Sequence, residues 1–184
     1  MTSFDKANSG ISGLDELVQN IRIGDNVVWQ VDSLKDYLYF IKPFVKESLK
    51  KNIRVVYIRF AKHKKLLNKQ KGLKIYDISN YKSFELFTTQ LHQIINKEGK
   101  EVFYVFDCLS DLLNIWATDM MIGNFFMVTC PRLYELDTIA YFAIYRKNHS
   151  GKTIARIRET TQLLLDIYEN VYTLAARRAY QREF

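Results

Sequence analysis

Residues 100–112 constrain this chain more than any other stretch, reading Lys-Glu-Val-Phe-Tyr-Val-Phe-Asp-Cys-Leu-Ser-Asp-Leu. Val102 to Phe106 is an unbroken run of β-branched and aromatic residues. That composition belongs to a strand buried on both faces, as in a parallel sheet. The run ends in a carboxylate, Asp107, followed by Cys108, Ser110 and Asp111. Open α/β sheets bind their ligands at the carboxyl ends of such strands. The same pattern also fits an ordinary central strand whose Asp107 caps the next helix, and both readings stand at this level.

The segments around it alternate. Val27 to Val31 is a second buried strand. Apolar residues at 34, 37, 38, 41, 44, 45 and 49 then lie on one face of a helix. Ser33 with Asp36 resembles a capping box at its start, and Pro43 is expected to kink it or to open a new first turn. Strands are predicted at Arg54–Phe60, Leu73–Ile78 and Thr138–Tyr145, and a helix capped by Ser83 spans 84–96. A two-piece helix is predicted over 111–135, with its break near Cys130 and Pro131. The order β-α-β-(β)-α-β-α-β predicts an α/β fold with a largely parallel sheet and right-handed crossovers. Positions 157–174 fit either a helix or a hairpin of 162–168 and 171–180 turning at Glu169 and Asn170. Residues 1–8 are expected to be loose, Leu14–Asn20 to form a short helix, and 9–184 to form one domain.

Composition narrows the function. Seven glycines and two prolines leave little material for glycine-rich loops. A formal charge of +7 suits an anionic partner. Its densest stretch, Lys62 to Lys71, has no interleaved aromatic on which a base could stack, so it reads as a solvated loop and nucleic acid is not the favoured partner. Cys108 and Cys130 match neither a zinc spacing nor a disulfide framework. Both read as buried, although Cys108 and His149 each follow a strand and could be imagined as a nucleophile pair. His63 and His92 read as surface residues; Trp29, Trp116, Phe125 and Phe126 read as core or interface. No signal peptide is expected, and the longest apolar run, Met120 to Val128, is too short to span a membrane. A cytoplasmic protein is expected.

In this order the elements resemble the RecA/KaiC-like P-loop ATPases. Ser9-Gly-Ile-Ser-Gly-Leu-Asp-Glu-Leu17 is similar to that family's T/S-G-I-x-G-L-D-E-L segment. Ile23 to Trp29 looks like the turn and strand that lead into its phosphate loop. Val55 to Phe60 resembles the strand before its catalytic glutamates, and Phe103 to Leu109 resembles its Walker B strand. The resemblance implies a three-layer RecA/KaiC-like fold, ATP or ADP with Mg²⁺ as ligand, and Asp107 as the Mg²⁺ residue. Further phrases, Gly24 to Asp32, Phe103 to Asp111, Gly123 to Phe126, Glu135 to Phe142 and Ile157 to Asp166, resemble an N-terminal module of phosphoenolpyruvate synthase or pyruvate, phosphate dikinase-like proteins. The 184 residues leave no room for the catalytic domains of those enzymes, so the chain alone is not expected to perform their reaction.

Two departures from the ATPase pattern are visible in the residues. A phosphate loop needs G-x-x-x-x-G-K-[ST], so that backbone N–H groups, a lysine and a hydroxyl can surround the phosphates. Here Val31-Asp-Ser-Leu-Lys-Asp-Tyr37 has no glycine, Lys35 stands near the lysine position, and Asp36 replaces the hydroxyl residue. Asp32 and Asp36 would each repel a phosphate at ~4 Å by roughly 1–4 kcal/mol. Ala61 and Lys62 stand where the resemblance implies two glutamates. The reading is a degenerate, non-catalytic KaiC-like module with a protein partner, itself or a phosphoenolpyruvate synthase-like enzyme. Two alternatives remain: residual nucleotide binding or weak ATPase activity, and nucleic-acid binding through the basic loop. Asp32, Ser33, Lys35 and Asp107 are candidates for a nucleotide site. So are Gly151, Lys152 and Thr153, whose Gly-Lys-Thr follows a strand but lacks the first P-loop glycine, Arg146 standing there instead.

Overall fold

The computed structural model describes residues 5–167 and the strand at 175–178. The elements are β1 (Lys6–Ala7), α1 (Ser12–Leu17), β2 (Ile21–Arg22), β3 (Asn26–Val31), α2 (Leu34–Lys50), β4 (Arg54–Arg59), β5 (Leu73–Asp77), α3 (Phe84–Glu98), β6 (Val102–Cys108), a 3-10 helix (Leu109–Asn114), α4 (Asp119–Glu135), β7 (Ile139–Tyr145), α5 (Gly151–Thr160), β8 (Leu163–Asp166) and β9 (Ala175–Arg178). The main sheet runs β5-β4-β6-β7-β3-β8-β9. Its pairs are parallel from β5 through β8, and only β9 is antiparallel.

Both faces of the sheet are covered, which is why the central strands are apolar at successive positions. On one face Trp29, Val105 and Tyr141 meet Tyr37, Ile41 and Phe44 of α2. Phe44 stacks on Tyr141 at 4.0 Å and Phe40 on Trp29 at 4.1 Å. On the other, Phe106 and Phe142 meet Phe87 of α3, Phe125 and Phe126 of α4, and Ile157 of α5. The expected core roles of Trp29, Phe125 and Phe126 hold, while Trp116 is half-buried beside Phe87.

Several expectations are corrected. Helix α4 runs unbroken through Pro131, and the break falls at 115–118, between the 3-10 helix and the cap Thr118. Pro131 lies on an exposed face four residues after the exposed Met127, so the carbonyl that loses its N–H partner is on the solvent side. Helix α2 likewise continues through Pro43, four residues after the exposed Tyr39. Lys6–Ala7, inside the segment expected to be loose, pairs antiparallel with Ile21–Arg22. After α5 the chain takes the hairpin reading, β8 pairing antiparallel with β9; the turn at Glu169 and Asn170 lies outside the described residues. Among the described residues no helix is long and apolar enough to cross a membrane.

Candidate functional site

The candidate nucleotide residues lie at the carboxyl edge of the parallel strands. Strand β3 ends at Val31 and α2 starts at Leu34, so only Asp32 and Ser33 connect them. The Asp36 carboxylate receives both the Ser33 N–H and the Ser33 hydroxyl at 2.9 Å. The helix N-terminus, which attracts anions through its free N–H groups and dipole, therefore has its own carboxylate in place. Asp32 accepts from Arg146 Nε at 2.9 Å, and the same guanidinium donates to Asp166 at the end of β8. Lys35 is exposed on α2. The next helical turn sends Tyr37 inward, where its hydroxyl lies 3.1 Å from the Phe106 carbonyl and 3.0 Å from the Tyr141 carbonyl. The β6–β7 pairing shifts register between Val105 and Cys108, and Tyr37 places a donor there.

Asp107 is within β6, which continues to Cys108, and it is wholly buried. Its Oδ2 accepts the N–H groups of Phe60 and Ala61, each at 3.0 Å. Its Oδ1 accepts the Tyr57 hydroxyl, which itself accepts the Leu66 N–H at 3.2 Å. The residues after β4 thus hold the carboxylate with their backbone. Burial pushes the Asp107 carboxyl up from the usual range, against the pull of these donors and of His63. Asp111 is also raised, chiefly by burial. His63, expected at the surface, tucks its ring over both, with Nε2 3.7 Å from Asp107 and 3.6 Å from Asp111. Its neighbours in the basic loop, Leu66 and Leu67, are buried as well, so this loop is anchored as well as solvated. His92 is half-buried, 3.4 Å from the Thr129 hydroxyl.

A third group was not legible as a unit. Ser110 Oγ lies 2.7 Å from His149 Nε2, and His149 Nδ1 lies 2.8 Å from Asp119. The atoms follow the order of a hydrolytic triad. However, Ser110 is wholly buried and its oxygen also accepts the Tyr145 N–H at 2.7 Å. An acyl group has no approach to that hydroxyl, and the group ties the 3-10 helix, α4 and the β7–α5 turn together. Asp119 also accepts from the hydroxyls of Ser150 and Thr153, at 2.7 and 2.8 Å, and from the Ser150 N–H at 3.2 Å. Gly151, Lys152 and Thr153 are the first turn of α5, so the Gly-Lys-Thr turn faces a carboxylate where a phosphate loop would face phosphate. Cys108 is buried and its thiol is pushed up to about 12 by burial, and His149 is engaged by Ser110 and Asp119; the imagined Cys108–His149 pair is replaced by these contacts.

The structure therefore separates the candidates. Asp32, Ser33 and Lys35 follow β3, Asp107 lies one residue before the end of β6 at Cys108, and β7 lies between those strands, with Gly151 to Thr153 beyond its end. Tyr37, Tyr57 and Arg146 were missed; the first two read as ordinary core positions. Among the described residues no group of three or more His, Cys, Asp or Glu side chains is arranged to hold a metal ion.

The Asp119 network makes a pH prediction. Against the desolvation of its partly buried side chain, hydrogen bonds from Ser150, His149 and Thr153 lower the Asp119 carboxyl from 3.8 to about 2. A folded-state value below the unfolded one stabilises the fold at higher pH, with the gain lost as pH falls between those two values. Asp119→Asn should thus be less stable at neutral pH and converge on the parent as pH drops from about 4 to about 2. Melting temperature against pH for the two proteins checks this; curves that stay parallel across that range contradict it.

No family model matches the chain, and no curated protein does. Among solved structures it is similar to a KaiC-like protein of the hyperthermophilic archaeon Pyrococcus horikoshii OT3, with a TM-score of 0.66 at 14% identity, covering 97% of this chain and 90% of that one. At this identity the likeness is one of fold, and the chain has a RecA/KaiC-like α/β fold.

Proposed function

We propose that this RecA/KaiC-like domain is a non-catalytic binding or regulatory module that works through a protein partner. The observation that carries the reading is the state of Asp107. The residue corresponding by resemblance to the Mg²⁺ aspartate is buried and already accepts two backbone N–H groups and the Tyr57 hydroxyl. The short Asp32–Ser33 connection supports it, because it leaves no length of backbone to wrap a triphosphate. So does Asp119 at the Gly-Lys-Thr turn. A protein partner accords with the exposed Met120, Met127 and Val128 of α4, apolar side chains facing solvent. The partner's proposed identity, a phosphoenolpyruvate synthase-like enzyme or a second copy, rests on the sequence phrases alone.

Isothermal titration with ATP and ADP plus Mg²⁺, with hydrolysis followed in the same samples, tests the reading. The expected result is no heat at millimolar nucleotide and no phosphate release. Micromolar binding would overturn it in favour of a residual nucleotide site, with Lys35 and Lys152 the first residues to replace. Co-elution with a purified phosphoenolpyruvate synthase, against the chain alone, tests the partner.

A further inference from the structure

The solvent face of α2 carries a feature that the reading above does not use. Lys35, Tyr39, Lys42, Lys46 and Lys50 recur at steps of four, three, four and four residues, which places them on one exposed stripe of the helix. The stripe borders two adjoining depressions of about 510 and 760 Å³, both walled by Gly10, Lys42 and Pro43. The wall is fixed by close approach. Gly10 has φ +82°, and a Cβ there would stand 2.5 Å from the Pro43 carbonyl oxygen. None of the four lysines forms an ion pair with a described residue, whereas Glu47 in the same groove is paired to Lys51 at 3.4 Å. Tyr39 is 67% exposed among them, its ring edge-on to Phe40 at 5.3 Å, which in turn stacks on Trp29.

The geometry points to this groove as a binding site for a single-stranded polynucleotide. Lys42, Lys46 and Lys50 are four residues apart, a rise of ~6 Å per step, close to the spacing of neighbouring phosphates on an extended strand. A backed, exposed tyrosine beside a line of cations is the combination that tracks a phosphate backbone and stacks a base. Lysine is depleted from protein–protein interfaces but is a common point-charge ligand for phosphate, which favours a polyphosphate chain over an acidic protein. The Lys62 to Lys71 run lacks such a ring and is not part of the site.

Fluorescence anisotropy of the full chain with labelled twelve-residue oligothymidylate and oligouridylate tests it. Binding at low salt is expected, weakening with a log–log salt slope of about −2 for three lysine–phosphate contacts. Lys42→Glu with Lys46→Glu should weaken it at least about tenfold, and Tyr39→Ala by about tenfold. Lys69→Glu with Lys71→Glu should leave it nearly unchanged. Circular dichroism and melting of these exposed-site variants keep folding separate from binding. Absence of binding at low salt overturns the proposal, as does loss on replacing Lys69 and Lys71 but not Lys42 and Lys46. A silent Tyr39→Ala with equal competition by polyglutamate would assign the groove to an acidic polypeptide. Stronger binding to phosphatidylserine vesicles than to the oligonucleotides would assign it to a membrane surface.

Discussion

Asp107→Ala is expected to lower the free energy of unfolding by about 3–5 kcal/mol and the melting midpoint by roughly 10 °C. Three donors converge on this carboxylate: the N–H groups of Phe60 and Ala61 and the hydroxyl of Tyr57. Alanine leaves them without that acceptor in a site closed to water, and a stranded buried donor costs far more than an average hydrogen bond contributes. Asp107→Asn separates structure from ligand chemistry. Its amide keeps one oxygen but turns an NH₂ towards either the backbone pair or Tyr57, so stability should still fall. Urea unfolding and nucleotide titration of all three proteins make the measurement. A variant that is as stable as the parent but loses a nucleotide signal present in the parent would return Asp107 to the role of a metal ligand.

Tyr37 should show the second large effect. Tyr37→Ala removes a fully buried ring beneath the first turns of α2 and should cost about 3–5 kcal/mol, in the range of other aromatic truncations in cores. Tyr37→Phe keeps the volume and removes only the hydroxyl between the Phe106 and Tyr141 carbonyls, so about 1–2 kcal/mol is expected. The difference between the two apportions packing and hydrogen bonding at the β6–β7 register shift. Equal losses in the two variants would mean that the hydroxyl, not the ring, holds α2 against the sheet. Chemical denaturation with fluorescence detection resolves both.

Strands β3, β4, β6 and β7 were legible because each holds an apolar run of β-branched and aromatic residues, and a parallel sheet covered on both faces demands that composition. The capping of α2 was legible too, since Ser33 and Asp36 lie within one turn. Pro131 misled because a proline's effect on a helix depends on which way the freed carbonyl faces, and burial decides that. The candidate site was least legible where partners are distant in the chain. Ser110 and His149 are separated by 39 positions and Asp119 and His149 by 30, and the topology alone brings them together. Asp107 was found from local sequence, but its partners at Phe60 and Ala61 are backbone groups, which no side-chain pattern announces. The lysine stripe of α2 obeys the periodicity that revealed the helix's apolar face; the denser run at 62–71 drew attention away from it.

The connection between β3 and α2 also bears on what variation can reach from here. Point substitutions can exchange Asp32, Ser33 or Asp36 for glycine, lysine or threonine, but they cannot add backbone. A chain that crosses from strand to helix in two residues needs an insertion before any loop can curl around a phosphate group. That insertion would have to arrive while Tyr37, one helical turn further on, still reached its carbonyls between β6 and β7. Lengthening and re-registering would have to occur together. In a laboratory selection for nucleotide binding, libraries of point substitutions at this edge should remain barren, and only libraries that vary loop length should contain solutions.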